Sequence, residues 1–196
     1  MPLITALPDN VDPSWQDLIV CVHDPLGTPQ AMSIKAETLY GFIRNRLRQT
    51  GRVTADRTSN STSLVNIPDL NAFTLAANKV YRFSATMFFV TSATTVGMHF
   101  GVNFTGDVTY LRAGHINPVT APTAAGSAIA HGAVTAVNTK ILATTAGPGA
   151  TPTMAIIEGL IEVGANGGTF SIMACSETAT NSTVQRGSHA VVELVD

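Results

Sequence analysis

Charged residues are scarce in this sequence. Only 12% of its 196 residues are Asp, Glu, Lys or Arg, and the formal net charge is −2. Soluble domains usually carry about twice that share of charge, and so small a net charge gives no general attraction to nucleic acid or to an anionic membrane. The shortage is greatest from Thr58 to the end of the sequence, a stretch that contains only five basic and seven acidic side chains. We therefore expect another protein chain to cover part of this surface.

Cysteine is almost absent, and long apolar runs are missing. Cys21 and Cys175 lie far apart in the sequence; a disulfide is open as an alternative, but we expect two buried free thiols. The first residues contain no basic segment followed by an apolar stretch, so we expect no signal peptide. No window reaches the roughly 18 apolar residues that suggest a membrane span. These absences predict cytoplasmic synthesis and no membrane partner.

Catalytic and metal-binding motifs are also missing. The five histidines have no spacing typical of metal ligands, and neither a G-x-S-x-G elbow nor a phosphate-binding loop occurs. Ser188 and His189 are neighbours in a predicted strand, so their side chains point to opposite faces and form no dyad. Glu158 and Glu162 lie about 13 Å apart along a predicted strand, whereas glycosidase carboxylates lie roughly 5 to 9.5 Å apart. We predict a non-enzymatic protein without cofactor or metal.

Residues 1–57 differ from the rest of the chain, because they hold half of its 24 charges. The segments DLIVCVHD and PQAMSIK flank a turn at Asp24-Pro25-Leu26-Gly27 and predict a β-hairpin. In AETLYGFIRNRLRQTG, four apolar residues recur at helical spacing, which predicts one helix over residues 36–49. The apolar residues are Leu39, Phe42, Ile43 and Leu47.

From residue 58 the pattern is all β. Eight segments rich in Val, Thr, Ile and Phe alternate with Gly- and Asn-containing turns, which predicts an antiparallel sandwich, and eight strands fit a jelly roll. The predicted strands are 63–67, 79–92, 96–105, 107–114, 128–140, 153–164, 168–177 and 189–195. In a jelly roll the first and last strands are neighbours, so we expect 189–195 to be a central strand paired with 63–67. We take 58–196 as the domain.

The segment KVYRFSATMFFVTS has two different faces. One face, Tyr81 to Phe89 in alternate positions, is uniformly apolar and predicts core. The other face begins polar and becomes apolar at Phe88 and Val90, so it needs a second cover. We expect a neighbouring subunit to provide that cover.

The same elements carry a family resemblance over roughly residues 64–196. The run AANKVYRFSATMFFVTSATTVGMHFGVN and the run MAIIEGLIEVGANGGTFSIMACSETATNSTVQRGSHAVVELVD resemble the C-terminal jelly-roll module of tailed-phage virion proteins. That module is similar in outline to trimeric TNF/C1q-like jelly rolls. The N-terminal run ITALPDNVDPSWQDLIVCVHDPLGTPQAMSIKAETL resembles the leading segment of phage fibre and decoration proteins.

The resemblance implies a homotrimeric structural protein on the virion surface. We expect a capsid decoration protein (cement protein or head fibre), attached through residues 1–57 to a capsid or tail structural protein. The alternative is a tail-fibre or tail-tip protein that binds a host receptor or glycan. Candidate residues for the trimer interface are Phe88, Val90, Phe100 and Phe104. Candidate residues for virion attachment are Leu3, Ile4, Leu7, Trp15, Arg44 and Arg48.

The arginines in FIRNRLRQTGR leave three interpretations open. Arg44 and Arg48 would share one face of the predicted helix, where they could be solvated or could dock on an acidic partner surface. Contact with nucleic acid is the third interpretation, but the segment has no interleaved aromatic residues and has acidic neighbours. We expect no nucleic-acid partner.

Overall fold

A computed structural model describes residues 17–22, 30–35, 48–118, 129–141 and 145–195. The chain divides into two compact units, 1–47 and 48–196. In the first unit, strands β1 (Asp17–Val22) and β2 (Gln30–Lys35) form an antiparallel pair. This pair confirms the predicted hairpin.

The second unit consists of antiparallel strands in two sheets, and its described residues contain no helix. It is consistent with a β sandwich. The strands are β3 (Arg48–Arg52), β4 (Arg57–Ser59), β5 (Val65–Asn66), β6 (Phe73–Leu75), β7 (Val80–Val90), β8 (Met98–Phe104), β9 (Val108–Pro118), β10 (Ile129–Val134), β11 (Thr153–Val163), β12 (Gly168–Ser176), β13 (Ser182–Val184) and β14 (His189–Leu194).

The larger sheet is built around β7. On one side β7 pairs with β11, and β9 and β10 follow in that order. On its other side β7 pairs with β13 at Phe89 and Val90 and with β14 from Tyr81 to Thr86. The outermost strands there are β4, which pairs with β13, and β3, which pairs with β14. The position beside β7 is thus shared by β13 and β14, and the outermost position by β4 and β3.

The smaller sheet is built around β12. On one side β12 pairs with β8 along seven residues of each strand. On its other side β12 pairs with β6 near its start and with β5 near its end.

Aromatic rings fill the space between the two sheets. Phe170 of β12 lies 4.8 Å from Phe83 of β7 between ring centroids, and 6.4 Å from Phe73. Phe89 of β7 meets Phe100 of β8 edge to face at 5.5 Å. Such pairs contribute about 0.5–1.5 kcal/mol beyond the burial of their area. The predicted core face of β7, from Tyr81 to Phe89, is buried as expected.

The last strand is central, as predicted, but its partner is different. β14 lies between β7 and β3, and β3 comprises Arg48–Arg52. The expected partner, residues 63–67, overlaps β5, which pairs with β12 in the smaller sheet. The prediction was wrong because RQTGR has no apolar alternation. Backbone pairing with β14 makes it a strand, with its side chains exposed or half-buried.

The predicted helix at 36–49 overlaps this strand, and the predicted domain boundary at 57/58 falls inside β4. Residues 36–47 lie outside the described part of the chain. Arg48 and Gln49 belong to β3, so the helix cannot include them. The second compact unit begins at Arg48, and its edge includes β3 as well as β4.

Ser188 lies in the connection between β13 and β14, and its side chain hydrogen-bonds this connection to β7. The side chain is fully buried, and its Oγ accepts a hydrogen bond from the backbone N–H of Phe88 at 2.9 Å. Its own hydrogen is directed to carbonyl oxygens, at 2.8 Å for Gln185 and 3.2 Å for Phe88. Gly187, at φ 95°, supplies the left-handed turn that precedes it. The Gly-Ser-His sequence is therefore a structural joint.

We predict that Ser188→Ala lowers the free energy of unfolding by about 1–3 kcal/mol, because it removes the acceptor of the part-buried Phe88 N–H. Urea titration monitored by far-UV circular dichroism measures this free energy of unfolding. Ser84→Ala, at an exposed serine of β7, is the control and should change stability by less than about 0.5 kcal/mol. Equal effects of the two substitutions would contradict the assigned role.

Candidate interaction surface

The side of the larger sheet that faces away from the core is here called the outer face. It consists of the outward side chains of β3, β14, β7, β11 and β9, which alternate with the core residues. Four of its apolar side chains are exposed: Phe88, Tyr110, Ile116 and Met154. Among the described residues these are four of the six exposed large hydrophobic side chains, so the outer face is where apolar exposure concentrates.

One half of the outer face is apolar. Met154 is 43% exposed and lies directly opposite Phe88, which is 36% exposed. Ile156 lies opposite Ile116 of β9, which is 48% exposed. A small depression of about 180 Å³ lies beside Ile116 and Ile156 at Gly114, which has no side chain to fill it. Contiguous apolar surface of this kind is typical of protein contact sites.

The other half of the outer face is charged. Glu193 of β14 lies opposite Arg48 on one side and Arg82 on the other. Its carboxylate accepts from Arg82 Nη2 at 2.6 Å and lies 3.3 Å from Arg48 Nε. The Arg82 hydrogen bond, followed by the charges of both arginines, lowers the pKa of Glu193. A cavity of about 610 Å³ lies beside this group and is also lined by Glu158. Because these charges are exposed, each pair contributes little stability by itself.

The predicted interface residues separate into two groups. Phe88 and Val90 lie on β7 at the apolar half of the outer face, where they are exposed and half-buried. Phe100 is 0% exposed and Phe104 5%, since both belong to the core between the sheets. These two side chains have no surface left for a neighbouring subunit, so their assignment is corrected. The sequence did not identify Met154, Ile116 and Ile156, although their alternation in β11 and β9 was visible.

Of the predicted attachment residues, only Arg48 is in the described part of the chain. It is a strand residue of the outer face, paired with Glu193, and not part of a helical arginine row. The other candidates are Leu3, Ile4, Leu7, Trp15 and Arg44, and they lie outside the described residues.

Three side chains that carry reactive groups are buried: His99, His115 and Cys175. Cys175 Sγ lies 3.8 Å from His99 Nδ1, and the His115 ring meets Phe100 edge to face at 5.2 Å. Both ring nitrogens of His115 are buried without a hydrogen-bond partner. Burial, with a smaller contribution from the charge of His99, lowers the pKa of His115 to about 4. His115 is therefore a neutral core side chain at neutral pH.

These buried side chains have little capacity for chemistry. Burial raises the pKa of the Cys175 thiol, although nearby Lys140 opposes the shift, so the reactive thiolate is disfavoured. Cys175 is a buried free thiol, as predicted. Within the described ranges, no three His, Cys, Asp or Glu side chains are placed to share a metal ion. In the same ranges no helix is long and apolar enough to cross a membrane.

Comparisons with known proteins give matches of structure only. No protein-family model and no curated protein matches the sequence. Eiger TNF from S. frugiperda is similar at a TM-score of 0.31 and 10% identity, over 77% of this chain and 94% of that one. The infectious bursal disease virus VP2 subviral particle is similar at a TM-score of 0.21 and 12% identity, over 97% of this chain and 46% of that one. TM-scores below 0.5 do not establish a shared fold, so function is argued from the residues.

We predict that the stability of the protein falls as the pH drops from about 6.5 to 4.5, because of His115. In this window the unfolded state binds a proton at His115 while the folded state holds it neutral, so stability rises with pH. A pKa near 4 in the folded state, against about 6.5 when unfolded, corresponds to at most roughly 3 kcal/mol. Urea unfolding at several pH values measures the slope.

His115→Leu should remove most of that slope above pH 5, where carboxylates with ordinary or lowered pKa values stay ionised in both states. His189→Gln, at an exposed histidine, is the matched control and should leave the slope unchanged. An identical pH dependence for wild type and His115→Leu would show that His115 is not the titrating group.

Proposed function

We propose that this protein is a non-enzymatic structural protein of a tailed-phage virion: a homotrimeric capsid decoration protein attached through its N-terminal region. The single observation that carries the proposal is the exposed apolar half of the outer face, which lies beside a charged half on the same sheet. The phage assignment and the trimeric state come from the sequence resemblance. The sheet arrangement supports a protein whose role is assembly.

The strand order supports a jelly roll. The larger sheet brings β3 and β4, which open the second unit, beside β13 and β14, then β7, then β11. The smaller sheet contains β5 and β6, β12 and β8. First and last strands that lie side by side, with consecutive segments alternating between two sheets, are features of that fold. The β9–β10 hairpin widens the larger sheet beyond β11.

The outer face supports assembly by its division into two halves. Phe88, Met154 and Ile116 offer apolar area whose removal from water favours association. The charged half has both signs, with Arg82 and Arg112 beside Glu158 and Glu162, and opposite charges can pair between subunits and fix their register. In the proposed trimer, each subunit buries the apolar half of this face against its neighbours.

We predict that Met154→Lys converts the assembly to monomers at micromolar concentration, because it places a charge among the exposed apolar side chains. Sedimentation velocity measures the mass directly. Val65→Lys is the matched control: Val65 is 41% exposed but belongs to β5 of the smaller sheet, and its substitution should leave the trimer intact. A wild-type protein that sediments as a monomer would overturn the proposed assembly.

Attachment is proposed to be the role of the first unit, residues 1–47. Three copies of a weak attachment segment on one trimer bind together, and linked binding can exceed single-site affinity by about 10²–10⁴. The truncation that tests this should begin at Arg48, since a deletion to residue 57 would also remove β3 and the first residue of β4.

We predict that full-length protein rebinds to particles stripped of it, whereas the 48–196 fragment does not. Cryo-EM of the particles locates the added density, and far-UV circular dichroism confirms that the fragment is folded. Density at the tail would favour the alternative receptor-binding role. Equal rebinding by a folded fragment would place attachment in the second unit.

A further inference from the structure

The depression beside Gly114 of β9 is an open hollow in the outer face. Its volume is about 180 Å³, and its lining includes Ile116, Ile156 and Glu158. Ile116 is 48% exposed, Ile156 is half-buried and Glu158 is exposed. Ala133 of β10, which lies opposite Gly114 on the other side, is small and exposed as well. The side chains around the hollow are therefore accessible to a group that enters it.

Folding of the chain does not require a glycine at position 114. Three other strand glycines are needed for packing, because a Cβ at Gly51, Gly101 or Gly159 would lie 2.6, 2.7 or 2.3 Å from its nearest atom. A Cβ at Gly114 would lie 3.8 Å from its nearest atom, the carbonyl oxygen of Glu158, which is an ordinary contact. Gly114 also lacks the positive φ that favours glycine.

A glycine that its own chain does not need indicates contact with another group. Glycine weakens a strand, because it adds backbone freedom and packs no side chain, and it often marks a place where a ligand or another chain approaches closely. The hollow opens on the outer face, so the approaching group comes from outside the subunit core. Its apolar border, formed by Ile116 and Ile156, favours an apolar side chain.

The charges around the hollow indicate which molecule carries that side chain. Arg112, Glu158 and Glu162 are exposed and form no ion pair with the described residues. Glu158 lies directly opposite Gly114, and Arg112 lies two residues before it on β9. A partner of a single charge sign would be repelled by one of these groups. A second copy of this chain offers both signs and so complements the whole face.

We infer that the Gly114 hollow receives an apolar side chain from a second copy of this chain, and that Arg112 and Glu158 beside it pair with opposite charges of that copy. The inference rests on the proposed assembly and adds a defined contact point to it. A side chain held in a hollow fixes the position of one subunit on the next, which exposed apolar area alone does not do.

The first test fills the hollow in the full-length chain. Gly114→Val suits a strand and its Cβ meets no close neighbour, so the fold should be kept while the incoming side chain is excluded. We expect the dissociation constant of the assembly to rise at least about tenfold, as overpacking of a close contact implies. Sedimentation velocity over a dilution series measures the constant, and the smaller filling in Gly114→Ala should give an intermediate value.

Asn66→Val is the matched control for the filled hollow. It introduces the same side chain at an exposed position of β5, in the smaller sheet. The dissociation constant of the assembly should stay at the wild-type value.

The second test reverses the charges beside the hollow. Arg112→Glu leaves three carboxylates there, and Glu158→Arg leaves two guanidiniums beside the carboxylate of Glu162. Each variant alone should assemble at least about tenfold more weakly, because like charges of neighbouring copies then meet. An equimolar mixture of the two variants should recover assembly, since unlike subunits again present opposite charges. Only pairing between chains predicts this recovery on mixing.

The outcomes separate this inference from the proposed assembly. A wild-type chain that sediments as a monomer overturns both. If the wild type assembles, an unchanged dissociation constant for Gly114→Val, or charge variants that mixing does not rescue, overturns the inference and leaves the assembly standing. Circular dichroism of each variant verifies that a loss of assembly does not come from unfolding.

Discussion

The apolar contact between the two sheets is the constraint on which the rest of the structure depends. Phe170 packs against Phe73 and Phe83, and Phe89 against Phe100, so the inner faces are closed by side chains of the same chain. Close packing extends to the backbone: a Cβ at Gly159 would lie 2.3 Å from the Phe83 ring. Because the interior is complete without a partner, the remaining apolar side chains on the outer face are surplus to folding. That surplus, in a chain so poor in charge, is the physical basis for the proposed assembly.

Much of the fold could be predicted from the sequence because long strands of a sandwich alternate visibly. The eight predicted strands all overlap observed ones, and the core face of β7 was identified residue by residue. The strands that were missed, β3, β4, β6 and β13, have three to five residues. In strands this short, backbone pairing with a neighbour decides the conformation, and alternation is too brief to predict it. RQTGR is the clearest case, since it has no aliphatic or aromatic side chain.

The candidate surface could be predicted in part. The apolar end of the second face of β7 placed Phe88 and Val90 away from the core, where the structure has them, and their role in a trimer interface stays a prediction. Phe100 and Phe104 were misassigned because both faces of β8 are almost wholly buried; Gly101 lies against Leu64 where a side chain would clash. In the sequence, a strand whose two faces are both buried within one chain has the same apolar pattern as a strand that buries one face in its own core and the other against a partner.

The position of β14 has a consequence for the order of events when the protein is made. β14 fills the space between β7 and β3, and it pairs His189 with Arg52 and with Thr86. Until residues 189–194 have left the ribosome, β7 has an unpaired edge and β3 has no partner at all. Pairing across so much intervening chain is slow to form, and an open strand edge invites pairing with other chains. The larger sheet is thus completed only when β14 becomes available, and until then the open edge of β7 is exposed to other chains.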